Sequence, residues 1–188
     1  MPIFYRGAGL HTHWHQHDAR LTGFTPHHAG AGLGLSRILH HIARGTTASP
    51  YISLTRSYAV ARHYALCGQQ LPTAANPAYV YEIDQHDGLG TQLLDPIVAL
   101  APQLGTPYDA RSYHHDGDPR FILGVADSKG QATHLNQTVR FAPPATGTPR
   151  TPLLTIELER LVRALRDSEV LAFGAVASTQ IKRRINVH

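Results

Sequence analysis

Three polar residues sit in stretches that are otherwise apolar and β-favouring. Arg6 follows Ile3-Phe4-Tyr5, Ser53 interrupts Tyr51-Ile52 and Leu54, and Glu169 opens Val170-Leu171-Ala172-Phe173. A guanidinium, a hydroxyl and a carboxylate are each costly to bury alone, so strands that carry them toward a core must pair them or turn them to a ligand. Singly, each has an ordinary reading: an arginine in a surface pair, a serine satisfied by backbone, a glutamate where a helix becomes a strand. Their flanking residues make them candidates.

Other chemistry-bearing groups are weaker. The chain has 14 histidines, with His11, His13, His15 and His17 in alternation and pairs at His27-His28, His40-His41 and His114-His115. Imidazoles along one side of an extended segment suit Zn, Cu or Ni, but no carboxylate or cysteine stands at ligand spacing, so no specific metal site is expected. Below the ordinary imidazole pKa of about 6.5 these histidines charge together, which ties solubility and partner affinity to pH. Cys67, the one cysteine, excludes an internal disulfide and a multi-Cys zinc site, and is expected as a small buried hydrophobe. Glu157-Leu158-Glu159 is a rival carboxylate pair, but it lies in a helical period followed by Arg160 and reads as a solvated helix face. Gly30-Ala31-Gly32-Leu33-Gly34 lacks a preceding strand and the dinucleotide spacing, and no phosphate-binding G-x-x-x-x-G-K-[ST] occurs.

The elements that must hold these groups follow from pattern. Ile3 to Tyr5 reads as a strand ending in a turn at Arg6-Gly7, and His11 to Gly34 as mostly irregular. Leu35, Ile38, Leu39 and Ile42 recur at helical spacing with Gly45 as the stop, which places Arg37, His41 and Arg44 on another face. Tyr51 to Thr55 is a strand, and Ser57 caps a helix running toward Cys67. Ala78 to Asp84 is the most strand-like segment and is expected at the centre of the sheet. Further strands are expected at 121–123, 138–141, 169–173 and 181–187, a long proline-rich connection at 142–152, and a helix through Leu154, Leu158, Leu161, Val162 and Leu165. Strand-dominated alternation with helices early and late gives an α+β class.

Length and composition bound the rest. At 188 residues, 1–188 is one domain with a core of its own. A hydrophobic fraction of 42% argues against general disorder, and 17 Lys+Arg against 13 Asp+Glu give only +4, short of a nucleic-acid-grade basic stripe. No apolar run reaches the roughly 20 residues of a membrane span. MPIFYRG has no basic segment followed by an apolar one, so no secretory signal is read and the localisation is open.

Taken in order, Phe4-Tyr5-Arg6, Ala43-Arg44-Gly45-Thr46, Tyr51-Ile52-Ser53-Leu54-Thr55, Ala78-Tyr79-Val80-Tyr81-Glu82-Ile83 and Asp167-Ser168-Glu169-Val170-Leu171-Ala172-Phe173-Gly174 with Gln180-Ile181 span nearly the whole chain. This ordered set resembles the arginine–serine–glutamate class of mono-ADP-ribosyltransferase toxins, most closely the enzymatic subunit of the cholera and heat-labile enterotoxin group. The resemblance implies a single catalytic domain of α+β class, a split two-sheet fold with NAD in its central cleft. It implies Glu169 as the catalytic carboxylate on the ribose 2′-hydroxyl, Arg6 gripping the pyrophosphate, and Gly7 admitting the nicotinamide carboxamide to backbone. Ser53 would orient Glu169, Arg6, Gly7, Ser53 and Thr55 would bind NAD, and Asp167 would recognise the acceptor.

The departures are specific. The family's serine–threonine–serine element is Ser53-Leu54-Thr55 here, and strand alternation sends Leu54 to the opposite face. Arginine-modifying members carry glutamate where this chain has Asp167, shorter by about 1.5 Å from one C–C bond. The family's histidine before Ala-Arg-Gly-Thr is matched by His41 only with a one-residue displacement, so no role is carried to His40 or His41. Arg160, Arg163 and Arg166 precede Glu169 as a basic helix or loop, which in the family contacts the acceptor and otherwise is an exposed face.

The function expected from these residues is NAD-dependent mono-ADP-ribosyl transfer to a macromolecule with release of nicotinamide. The acceptor would be a protein side chain, arginine among them, ahead of nucleic acid. A bacterial toxin or effector is implied, delivered by a dedicated secretion system or as part of a larger toxin, with an immunity protein as a further partner. The rivals are an NAD glycohydrolase, in which water replaces the acceptor, and a non-enzymatic nucleic-acid-binding module built on Lys182-Arg183-Arg184.

Overall fold

The computed structural model describes residues 3–85, 90–100, 160, 163–164 and 167–188. In chain order the elements are β1 (Ile3–Ala8), α1 (His13–Gln16), α2 (Ala19–Thr22), α3 (Leu35–Arg44), β2 (Tyr51–Thr55), α4 (Tyr58–Leu66), β3 (Ala78–Asp84), β4 (Gln92–Leu94), α5 (Pro96–Leu100), β5 (Glu169–Phe173), a 3-10 turn at Ser178–Gln180, and β6 (Ile181–Val187). The class is α+β: every described strand pairing is antiparallel. No described helix is long and apolar enough to cross a membrane.

The described strands form one six-stranded sheet in the order β4-β5-β2-β1-β3-β6, where the resemblance implies two sheets. Its middle is narrow. β1 pairs β3 from Ile3–Asp84 through Ala8–Tyr79, and β2 pairs β5 from Tyr51–Phe173 through Thr55–Glu169. β1 and β2 meet only at Tyr5–Thr55. Two three-stranded ladders are thus joined at a single pair, and backbone groups on either side of that joint are released from sheet pairing.

Side-chain alternation then sorts the core. On one face Phe4, Phe24, Ile52, Leu54, Tyr81, Ile83, Val170 and Ala172 pack as one cluster that bridges both ladders. On the other face the apolar residues fall into two groups, Ile38, Ile42, Tyr51, Leu100 and Leu171 beneath α3 and α5, and Ala61, Ala65, Ala78, Val80 and Val187 beneath α4. A continuous floor with a divided roof leaves a cleft over the joint.

The helices form where capping and period agree. α3 buries Ile38, His41 and Ile42 and ends at Gly45, whose φ of +70° is the left-handed stop that a side chain would resist. Ser57 caps α4 by accepting from Val60 N.

Several expectations need correction. β1 does not turn at Arg6-Gly7 but runs on to Ala8, because the ladder with β3 continues there. The 11–34 stretch is mostly irregular, as expected, with the short helices α1 and α2 inside it. β3 lies next to the edge strand β6, not at the centre, which belongs to β2 and β1. His41 belongs to the buried face of α3. Cys67 is exposed at the end of α4, its Sγ 3.2 Å from His63 Nε2, because it falls one residue past the last buried turn. β4 and α5 have no counterpart in the sequence pattern. The strands expected at 121–123 and 138–141, the 142–152 connection, Glu157, Glu159 and most of the 154–165 helix lie outside the described residues.

Candidate active site

The cleft over the β1–β2 joint is a cavity of about 310 Å³. That is at the lower end of ligand pockets, roughly 300–1,000 Å³. Arg6, Gly7, Ser53, Thr55, Asp167 and Glu169 all line it. His41, Gly45 and Thr46 from the end of α3, Tyr64 from α4 and Arg163 are among the residues that also line it.

Register explains the convergence. Residues opposite one another in an antiparallel pair share a face, so Tyr5, Thr55 and Glu169 line up across three strands. Ser53, two residues before Thr55, shares that face. Glu169 is 8% exposed, its backbone held opposite Thr55 in the ladder. The turn before it is tied down three times: Thr55 Oγ1 donates to Asp167 O (2.5 Å), Asp167 N to Arg163 O (2.9 Å) and Arg56 N to Ser168 O (3.1 Å). Ser168 has a φ of +46°, a left-handed backbone uncommon for a residue with a side chain. Strain of this kind beside a buried carboxylate persists because the surroundings fix it.

Arg6 leaves β1 on the same face as Phe4, with its guanidinium 5.6 Å over the Phe24 ring. Its Nη1 donates to Ser53 O at 2.6 Å, across the gap that sheet pairing leaves open between β1 and β2. Its Nε is buried and has no hydrogen-bond partner among the described residues. Loss of hydration pulls the Arg6 pKa down from the usual arginine range to about 10, with Glu169 acting in the opposite direction by attraction. The group stays cationic at neutral pH, short of solvation and of one acceptor. An anion that entered the cleft would supply both.

Ser53 does not hold Glu169 directly. Its hydroxyl is 2.6 Å from Nε2 of His41, and it is His41 that stands beside the carboxylate, Nε2 to Glu169 Oε1 being 3.6 Å. Nδ1 of His41 is 2.6 Å from Ser49 Oγ, which also accepts from Tyr51 N. Ser49 and His41 are therefore a buried polar pair, with Glu169 and the half-buried Ser53 both at the far ring nitrogen of His41. In the tautomer where Ser49 donates to Nδ1, the Nε2 proton faces Ser53 and Glu169. The sequence signal for His41 is its i+3 spacing from Ile38, which places it on the buried face of α3.

Two expected binding residues act structurally. The Thr55 hydroxyl is engaged by Asp167 O and by Ser57 N. At Gly7 a Cβ would lie 2.2 Å from Ala61 O and 2.8 Å from Ala65 N, so close packing of α4 requires glycine there. Asp167 is at the cleft, where Tyr64 Oη donates to its Oδ2 at 2.5 Å. Leu54 points away into the shared core, as alternation requires.

The remaining candidates lie elsewhere. Lys182, Arg183 and Arg184 are paired with Asp84, Glu82 and Asp18 at 3.0, 2.7 and 3.1 Å. The basic run thus neutralises local carboxylates instead of forming a bare stripe. Of the alternating histidines, His15 stacks on Tyr79, His13 on His17, and His11 bonds Gln70. Among the described residues no group of three or more His, Cys, Asp or Glu is placed to hold a metal ion. Tyr81 is buried, its hydroxyl donating to Trp14 O at 2.9 Å.

Comparison of the chain with family models, with curated proteins and with solved structures returned no match. The functional reading therefore stands on the geometry of the cleft.

Proposed function

We propose that the chain is an NAD-dependent mono-ADP-ribosyltransferase that moves ADP-ribose to a macromolecular acceptor with release of nicotinamide. The observation that carries this reading is the meeting of Arg6 and Glu169 in one cleft at the sheet's single-pair joint, with the Ser49–His41–Ser53 row behind the carboxylate. The narrow joint and divided roof also support an ADP-ribosyltransferase-like split fold with NAD as co-substrate in the gap.

Each group suits a step. Arg6, desolvated and with Nε lacking an acceptor among the described residues, would take a phosphate oxygen of the dinucleotide. Breaking the bond between ribose C1′ and nicotinamide develops positive charge on the sugar. Glu169, nearly buried, would attract that charge more strongly in the transition state than in the ground state. His41 and Ser53 would keep the carboxylate from swinging toward Arg6 and quenching it. Asp167, braced by Tyr64, stands on the side where an acceptor would approach.

The non-enzymatic reading loses its main support, since Lys182, Arg183 and Arg184 are engaged by carboxylates. The test is incubation with NAD labelled in the adenylate half, following nicotinamide release and label on macromolecules from bacterial and eukaryotic extracts. The expected result is release that disappears in Glu169→Ala while NAD binding is largely retained. Release without label on any macromolecule would assign the glycohydrolase instead, and no release at all would reject NAD chemistry.

A further inference from the structure

The acidic and basic residues are unevenly placed. Asp18, Glu82 and Asp84 neutralise Arg184, Arg183 and Lys182 at the β3–β6 end. Around the cleft, among the described residues, Arg6, Arg37, Arg44 and Arg163 outnumber the carboxylates Asp167 and Glu169. Helix α3 presents Arg37, His40 and Arg44 on one exposed stripe at i, i+3 and i+7, and neither arginine has an ion-pair partner among the described residues. The stripe runs to Gly45 and Thr46, which line the cleft, and Arg163 lines it as well. On the facing wall Tyr64 is 45% exposed, with its hydroxyl on Asp167.

We propose that the acceptor is a single-stranded nucleic acid, and that ADP-ribose is joined to an exocyclic amino group of a base. The proposal rests on the transferase reading above and names its substrate class. Arg37 and Arg44 are about 10 Å apart along the helix, far enough for each to meet a different phosphate of one strand. Tyr64 offers a ring on which an unpaired base stacks, a contact every base can make. Asp167 then lies where it accepts a hydrogen bond from a base amine, as carboxylates do from cytosine N4. A cationic lip of this kind would repel the basic peptide that carries an acceptor arginine. In the transfer, the amine lone pair forms the N–C1′ bond as the C1′–nicotinamide bond breaks. That bond's electron pair leaves on neutral nicotinamide, and the amine's surplus proton passes to the Asp167 carboxylate and on to water.

The experiment uses the full chain, labelled NAD and single-stranded homopolymers of adenine, cytosine, guanine and thymine, with an arginine-rich protein as the competing acceptor. The expected result is nuclease-sensitive label on one or more of the amine-bearing strands and none on thymine, which has no exocyclic amine. Binding to the labelled strand should weaken with salt. The double variant Arg37→Gln, Arg44→Gln should make that slope shallower by about 1.4 in log K per log salt, two phosphate contacts at ~0.7 each, and cost roughly 25-fold in affinity at about 0.1 M salt. Its nicotinamide release into water should match the unchanged chain. Nicotinamide release with label only on protein overturns this inference and leaves the transferase reading intact, as does equal label on thymine. Absence of nicotinamide release under all conditions overturns both.

Discussion

Replacing Glu169 by glutamine keeps the side chain's size and removes its charge, in a position that is 8% exposed and fixed by the ladder with Thr55. The loss can be worked from where the charge acts. A carboxylate about 4 Å from a developing unit charge, at an effective dielectric near 20, is worth about 4 kcal/mol. Much of the sugar's charge exists only in the transition state, so nearly all of that difference falls on turnover, about a thousandfold in kcat. Arg6 and its bond to Ser53 O are untouched, so NAD affinity should change by less than about threefold. The assay pairs single-turnover nicotinamide release with direct NAD titration, and a thermal melt confirms that the variant is folded. A Glu169→Gln protein that releases nicotinamide within about tenfold of the unchanged chain would refute the assignment of this carboxylate. A variant that loses binding and turnover together would move Glu169 from the reacting bond to the binding of the dinucleotide.

His41→Gln should keep one of the two serine bonds at most and lower turnover roughly ten- to a hundredfold, with KM for NAD little changed, because the row behind Glu169 is broken; steady-state kinetics on the folded variant checks it. Gly7→Ala drives a methyl to 2.2 Å from Ala61 O, which α4 relieves only by shifting, so about 1–3 kcal/mol of stability should be lost and Tm should fall by roughly 3–10 °C. Desolvation, with His17 and His27 nearby, lowers the pKa of His13 from its usual 6.5. The unfolded chain then binds the proton first as pH falls, so stability is full above about 6.5 and declines below it, shallowly because the ring is largely exposed. Melts from about pH 8 to 5 should show this decline reduced in His13→Gln, and an equal decline in both proteins would remove His13 as a contributor.

Local pattern was sufficient for much of the frame. Tyr51–Thr55 and Ala78–Asp84 are strands dominated by β-branched and aromatic residues, Glu169–Phe173 is an apolar run and Ile181–Val187 carries Ile181, Ile185 and Val187, while α3 and α4 follow from period and caps. The residues Arg6, Ser53 and Glu169 were also legible one by one, as polar groups inside apolar strands.

What sequence could not supply is the register that assembles them. A single Tyr5–Thr55 pair joins the ladders, and this long-range backbone choice opens the gap that Arg6 reaches across to Ser53 O. The same choice leaves the Ser53 hydroxyl to His41 and not to Glu169, and gives Gly7 to the packing of α4. Periodicity reports which face a side chain takes relative to its own strand or helix. Which other element occupies that face depends on contacts between residues far apart in the chain, and those exist only once the chain has folded.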